Sequence, residues 1–226
     1  MAKRPFAVLF DLDGTLIDSV GLLLECVRHA FDGRARKPTD AEWIATIGTP
    51  LRKQLAAYAD SDDDIEEITR KYRTFQREHH DRLTTAFPGV TETIQELDRR
   101  GHPMGVVTSK SNEMMDRGLE WVGLLDVMRT RIGLESCEIH KPDPTPVRVA
   151  LHELGYEPQE ALFVGDSPHD IKSGNAAGVI SVAALWGPFT KEQLEPHNPQ
   201  HFLERITDLP ALLDRLQTHL TPSPGV

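Results

Sequence analysis

Two cysteines, Cys26 and Cys137, are too few and too far apart in this 226-residue chain to form a disulfide framework. Long apolar runs are missing too: nothing approaches the roughly 20 residues a membrane helix needs. The run Phe6–Phe10 meets Asp11 at once and is too short for the hydrophobic region of a secretory signal. With neither a leader nor a disulfide framework, the cytoplasm is the expected compartment and no membrane partner is expected. Positive charge is in deficit, with 25 Lys and Arg against 35 Asp and Glu and a formal net charge of -10. A nucleic-acid partner is therefore not expected, since its signature is a basic stripe; the small group Arg34, Arg36 and Lys37 reads as a solvated loop. Internal repeats are absent, and low complexity is confined to the tail "TPSPGV", which reads as frayed. The length suits one domain with an insertion, or two small ones, in a monomer or homodimer.

What is present is an alternation. Short apolar runs at Phe6–Phe10, Met104–Thr108, Ala161–Gly165 and Val179–Ala184 each lead through polar or glycine-containing residues into a helical pattern. After Asp18, the residues Val20, Leu23, Leu24, Val27 and Phe31 repeat at helical spacing, with Asp18 or Ser19 as the expected N-cap. Helices are also expected over 91–100, 112–122, 144–154, 168–177 and 207–216. Strands alternating with helices predict an α/β fold, a Rossmann-like parallel sheet covered on both faces. Residues 18–86 break the rule: they hold helical patterns and no convincing strand. Thr39 or Asp40 caps one helix, Pro50 precedes another, and "DDDIEEITRKYRTFQREHHDRL" forms a long charged third. The expected division is an α/β core of residues 1–16 and 87–226 with a small all-helical cap, 17–86, inserted after the first strand.

The chemistry concentrates at strand ends. "FAVLFDLDGTLIDS" places Asp11 and Asp13 directly after a buried-looking strand, where two carboxylates repel each other and lose hydration. Asp-Gly between apolar runs also signals a hairpin, but the residues after Thr15 have a helical period and no partner strand follows. In open parallel sheets, ligands bind beyond the carboxyl ends of the strands. "MGVVT" ends there in Thr108 and Ser109; "ALFVG" runs into "GDSPHD", supplying Asp166 and Asp170; and "HKPDP" puts Lys141 before a helix. Taken singly, these could be turn formers, helix caps or a solvated lysine. Together they place four acidic groups, two hydroxyls and a lysine at one sheet edge. A divalent cation reconciles the carboxylates, and an all-oxygen set suits Mg²⁺. Cation, lysine and hydroxyls would enclose a space fit for a phosphoryl group, which a free carboxylate can attack.

"DLDGTLIDS", "VVTSK", "HKPDPTP" and "VGDSPHD", in that order, resemble the four motifs of the haloacid dehalogenase superfamily of phosphohydrolases. The string D-x-D-G-T alone should arise by chance in well under about one chain in a hundred. "GTPL" within the helical insertion and "ALWGPF" near the end resemble the phosphoglycolate phosphatase-like subgroup. The resemblance implies that Asp11 is a nucleophile passing through aspartyl phosphate, and that Asp13 exchanges the proton and lends its carbonyl to Mg²⁺. It further implies that Thr108 and Lys141 hold the phosphoryl oxygens, Asp166 ligates the metal directly, and Asp170 assists through water or a hydrogen bond.

Asp13 argues against a true dehalogenase, which lacks that second aspartate. A sugar phosphomutase and an inorganic pyrophosphatase on the same scaffold remain alternatives to a phosphatase acting on a small phosphomonoester. A phospho-acceptor signalling domain fits worse, since its aspartate lies on an internal strand of a chain about half as long. A silent binding protein would be expected to have lost one of Asp11, Asp13, Lys141 or Asp166. The substrate depends on the cap. Gly48, Thr49 and Arg52 are candidates to face the core, with Arg52 positioned to grip a second anionic group or else simply solvated. His79 and His80 are expected to face solvent, and Trp186 to pack beneath the pocket rather than line it.

Overall fold

A computed structural model describes residues 4–219. The expected fraying of "TPSPGV" falls outside them.

The central sheet has six parallel strands in the order β5-β4-β1-β6-β7-β8. They are β1 (Ala7–Phe10), β4 (Met104–Val107), β5 (Met128–Ile132), β6 (Ala161–Gly165), β7 (Ile180–Ala184) and β8 (His201–Leu203). Every residue of β1, β4 and β6 is buried. This is why these strands read as unbroken apolar runs: a parallel sheet has no wet face. Alternation survives in the partners. Val8 and Phe10 pack with Val90, Ile94 and Leu97 of α5 (Val90–Arg99) and with Met115 and Leu119 of α6 (Asn112–Trp121). Ala7 and Leu9 face the other way, onto Val147, Ala150 and Leu151 of α7 (Thr145–Leu154). From β1 the chain steps outward through β4 to β5, then returns to the opposite side of β1 as β6. Beside β1 the strand order therefore reverses, the position where an open α/β sheet leaves a crevice at its carboxyl edge.

Between β1 and α5 lie four helices: α1 (Val20–Ala30), α2 (Asp40–Ile44), α3 (Leu51–Ala56) and α4 (Asp62–Leu83). Their starts are chemically marked. Thr39 forms a capping box with Glu42, and Ser61 accepts from the Asp64 amide at 3.1 Å ahead of three aspartates that suit a helix N-terminus. Leu22, Leu23 and Val27 of α1 pack with Trp43, Leu55, Ile65, Ile68 and Tyr72, and the same apolar cluster continues into Ala183 of β7, Phe189 in the loop beyond it and Ile171 on the helix after β6. The block is thus seated on the core. It leaves and rejoins through two short antiparallel strands, β2 (Ile17–Asp18) and β3 (Thr85–Ala86).

The sequence patterns do not announce that two-residue ladder, because two residues carry no period. They also pass over β5 and β8. Both are edge strands of the sheet: β5 alternates buried Met128, Thr130 and Ile132 with exposed Arg129 and Arg131, and β8 has only three residues. Charged side chains on an edge protect it against further pairing while diluting the apolar signal. α8 (Pro168–Ala177) occupies its expected span, α9 (Lys191–Leu194) is a single turn, and α10 runs Leu209–His219. Ser19 occupies the N-cap position of α1, but its hydroxyl makes no cap and donates instead to Asp13 Oδ1 at 2.5 Å.

Candidate active site

The carboxyl ends of β1 and β6 and the loop before α7 converge on Lys141. Its ammonium, buried, donates to Asp11 Oδ1 at 2.8 Å, Asp170 Oδ1 at 2.6 Å and the Val107 carbonyl at 3.1 Å. Asp166 stands beside them, and ligand atoms of Asp11, Asp166 and Asp170 all lie within 4.8 Å of one another. Two buried carboxylates thus share one ammonium, and a third stands beside them without contacting it. Burial first, then the neighbouring charge of Asp170, pushes the Asp11 carboxyl up to about 7, against the opposing pull of Lys141. Burial likewise raises the Asp166 carboxyl well above the usual range, with Asp170 and Asp11 adding to it. For Lys141, burial works against the charged form, but Asp11 and Asp170 outweigh it and hold the ammonium charged.

One oxygen points to the chemistry that suits this cluster. Asp166 Oδ1 accepts from Thr15 Oγ1 at 2.7 Å, while Asp166 Oδ2 is buried without a hydrogen-bond partner. An orphaned buried carboxylate oxygen is costly unless a cation meets it. The set of hard oxygens, with excess negative charge, fits Mg²⁺. Asp170 differs from Asp166: Lys141 holds its Oδ1, while the Ser167 amide and hydroxyl hold its Oδ2 at 3.0 and 2.6 Å. Both Asp170 oxygens are thus engaged within the protein, whereas Asp166 keeps one free.

Two glycines shape the approach. Gly14 has φ +86°, and a Cβ there would fall 2.5 Å from Asp166 Oδ2, so only glycine lets the loop after β1 pass over that carboxylate. Gly48, with φ +95°, brings the cap loop so near the core that a Cβ would meet Ser167 Oγ at 2.8 Å. Ser109 Oγ donates to the Gly48 carbonyl at 2.7 Å. The Ser109 proton therefore ties cap to core instead of being free for an oxyanion. Thr108 is buried with its Oγ1 accepting from the Lys110 amide at 3.3 Å, which leaves the hydroxyl proton available to the cavity.

That cavity lies between Asp11 and Asp13 below and the cap above, where Gly48, Thr49, Tyr72, Arg73 and Gln76 form its wall. Arg52 is not in it. The guanidinium lies on the cap surface, paired with Glu66 and with Asp62 at 3.1 Å, because α3 turns that side outward. His80, expected to face solvent, is fully buried on the inner stripe of α4, with Nδ1 2.8 Å from Asp81 Oδ1. Trp186 packs as expected, and its indole donates to the Thr15 carbonyl at 2.9 Å.

Several residues near the site escaped the sequence reading. Lys110 Nζ donates to Asp13 Oδ1 at 2.5 Å, the same oxygen that Ser19 engages. Its signal was in plain view, as the last residue of "VVTSK". Thr15 likewise sits inside the first motif. On α4 the buried stripe runs Ile65, Ile68, Thr69, Tyr72, Gln76, His80. It turns from apolar to polar along its length, and two of its members, Tyr72 and Gln76, line the cavity.

A buried carboxylate at a sheet edge, a lysine that clamps it and a neighbouring carboxylate with an unpartnered oxygen are the groups that hydrolases of phosphoryl compounds employ. The sequence profile of the haloacid dehalogenase-like hydrolases matches residues 8–184, and the chain belongs to that family. Among its relatives, pyrophosphatase PpaX of Bacillus velezensis is 36% identical over 208 residues, covering 92% of this chain and 95% of that protein. Pyrophosphatase PpaX of Bacillus pumilus is also 36% identical, covering 91% and 95%. A crystal structure from Bacteroides fragilis, assigned to the haloacid dehalogenase-like hydrolases, superposes with a TM-score of 0.84 at 26% identity, covering 91% of this chain and all of that one. A predicted phosphoglycolate phosphatase from Haemophilus somnus shares the fold, with a TM-score of 0.82 at 22% identity over 94% and 99%. Among the described residues no helix is long and apolar enough to cross a membrane.

Proposed function

We propose that the protein is a Mg²⁺-dependent phosphohydrolase acting on a small phosphoryl compound, with inorganic pyrophosphate as the first candidate substrate. The observation that carries the chemistry is the buried Asp11–Lys141–Asp170 network beside the unpartnered Asp166 oxygen. Asp11 attacks phosphorus, and the bond from phosphorus to the leaving oxygen breaks as Asp13 delivers a proton to that oxygen. Water then attacks the aspartyl phosphate, Asp13 takes its proton, and orthophosphate departs with the Asp11 carboxylate restored. Lys141 and Thr108 offset the charge on the phosphoryl oxygens. Asp11, Asp166 and the Asp13 backbone carbonyl would hold Mg²⁺, which supplies fixed positive charge to the phosphoryl group. Lys110 and Ser19 both point at Asp13 Oδ1, so they fix the orientation of the group that moves the proton.

Residues 17–86 act in this reading as a lid over the core, with β2 and β3 as its two tethers and the Ser109–Gly48 contact as a latch. An enclosed site favours small substrates over phosphoproteins. Pyrophosphate stands ahead of 2-phosphoglycolate because relatives aligned over nine-tenths of the chain are named pyrophosphatases. Phosphate release from both compounds, and from a neutral aryl phosphate, tests the proposal in the native protein and in Asp11→Asn. Mg²⁺-dependent release lost in Asp11→Asn supports it; release that persists in that variant refutes the nucleophile.

A further inference from the structure

One turn of α4 presents polar groups to the cavity rather than to protein partners. Tyr72, Arg73 and Gln76 share the side that lines the cavity over Asp11 and Asp13. Gln76 is 6% exposed, yet its amide has no hydrogen-bond partner among the described residues, and neither does the Tyr72 hydroxyl. Half-buried Arg73 forms no ion pair or hydrogen bond there either. The acid that feels its charge, Glu113, is already taken: Arg77 Nε and Nη2 hold its two oxygens at 2.8 and 2.7 Å. A guanidinium, an amide and a phenol with no protein partner among the described residues therefore open on the cavity, free to donate to an acceptor that enters it. No carboxylate other than Asp11 and Asp13 lines the cavity, and Lys110 adds a further positive charge on the core side.

From this geometry we infer that Arg73, with Tyr72 and Gln76, receives a second anionic group of the substrate while the first sits at Asp11. The inference deepens the proposed function by assigning the specificity wall. It favours a compound with two oxyanion groups a few bonds apart, a diphosphate foremost, over a phosphate ester with a neutral leaving group. Arg73 presents a planar fork of donors, which matches phosphate geometry better than a point charge would. The arrangement also links recognition to closure, since Arg73 belongs to the lid and Asp11 to the core.

The probe is methylenediphosphonate, whose bridging carbon resists hydrolysis, titrated calorimetrically with Mg²⁺ against the native protein and variants. Arg73→Ala should weaken its binding about 10- to 100-fold, while orthophosphate binding changes less than about threefold. Arg73→Lys should recover part of the loss, and Gln76→Ala should show the same selectivity at smaller size. Should Arg73→Ala fail to fold, Arg73→Lys and Gln76→Ala carry the same reading. Where pyrophosphate is turned over, its KM should rise more than its kcat falls, and kcat/KM for an aryl phosphate should suffer much less. Equal weakening of both probes, or no weakening of the diphosphonate, overturns the inference. Hydrolysis by the native protein can fail independently: no phosphate release from any compound, with Arg73-dependent diphosphonate binding intact, would refute the proposed reaction and leave this site standing.

Discussion

The carboxylate edge of the sheet and the α4 wall face each other across one cavity and treat polar groups in opposite ways. Below, nearly every polar atom is spoken for: Lys141 spends its protons on Asp11, Asp170 and Val107, and Asp170 has both oxygens engaged. Above, Tyr72, Arg73 and Gln76 hold donors in reserve. A fixed network is what a reaction common to many substrates requires, since preorganised charge needs no rearrangement when the barrier is crossed. Reserved donors are what selection among substrates requires, because their partner arrives with the ligand. The two halves should therefore fail differently when mutated, the floor losing turnover and the wall losing discrimination.

The largest expected effect lies on the floor. Asp11→Asn keeps volume and removes the attacking charge, so kcat should fall by more than about 10³-fold on every substrate. The fold should survive, because one of three mutually repelling buried carboxylates is neutralised; circular dichroism and a thermal melt beside the assay check this. Uniform loss is the signature of the floor. A loss confined to diphosphates would erase the contrast.

The cation requirement splits the floor more finely. Activity should disappear on chelation and return with Mg²⁺. Asp166→Ala, which removes the oxygen left unpartnered, should raise the Mg²⁺ needed for half-maximal activity more than Asp170→Ala does. Outer-shell changes typically cost about 10- to 100-fold in metal affinity or activity. The reverse ranking would mean that Asp170, despite its engaged oxygens, is the direct ligand.

Between floor and wall stands the Gly48 loop. Gly48→Ala forces a side chain into positive φ and onto Ser167 Oγ, so the loop must back away from the core and open the latch to Ser109. Displacement of about an ångström in a positioning element can cost about 10²-fold, and kcat/KM should drop by roughly 10- to 100-fold on all substrates. Ser109→Ala, which removes the latch without the clash, should do less. Equal activity in Gly48→Ala and the native protein would show that closure does not depend on this contact.

His80, on the same helix but behind the cavity, offers a pH test of how α4 is seated. Burial holds its imidazole below the ordinary value, and the positive charges of Lys110 and Arg117 add to this against the opposing pull of Asp81. The hydrogen bond through Nδ1 leaves Nε2 buried and unpartnered, so protonation there would create a buried donor with nothing to accept from it. With the folded pKa below the unfolded value of about 6.5, the stability contribution is present above that value and is lost as pH falls through the window beneath it. Melts of the native protein and His80→Gln between pH 7.5 and 5 should converge on acidification, the native protein losing more.

The comparison also explains what the sequence revealed. Asp11, Asp13, Thr108, Asp166 and Asp170 each closely follow an apolar strand, so the carboxyl-edge rule gathers them from the sequence alone, while Lys141 joins them only through its place before α7 in "HKPDP". The same logic yields the core strands and most helices. It could not reach β5 or β8, whose edge positions mix charge with apolar residues, nor β2 and β3, too short to carry a pattern. Cap residues obey no such rule. A position on α4 faces the cavity because of how four helices settle on the sheet, and helical period alone does not separate a donor aimed inward from a solvated one. Arg52 and Arg73 are equally plausible from the sequence; only packing distinguishes them.

That pair gives the smallest expected effect and the sharpest control. Arg52 lies at the surface, held by Asp62 and Glu66, both largely exposed. Such pairs are screened by water and hold long side chains at an entropic cost, so their loss is barely felt. Arg52→Ala should leave kcat/KM for pyrophosphate, 2-phosphoglycolate and an aryl phosphate within about twofold of the native values, and Tm should move by less than about 2 °C. Run beside Arg73→Ala, it separates position from charge, because both variants remove one guanidinium from the same cap and shift the net charge equally. If the two variants lose diphosphate selectivity alike, long-range electrostatics governs recognition. If only Arg73→Ala loses it, the contact at the α4 wall does.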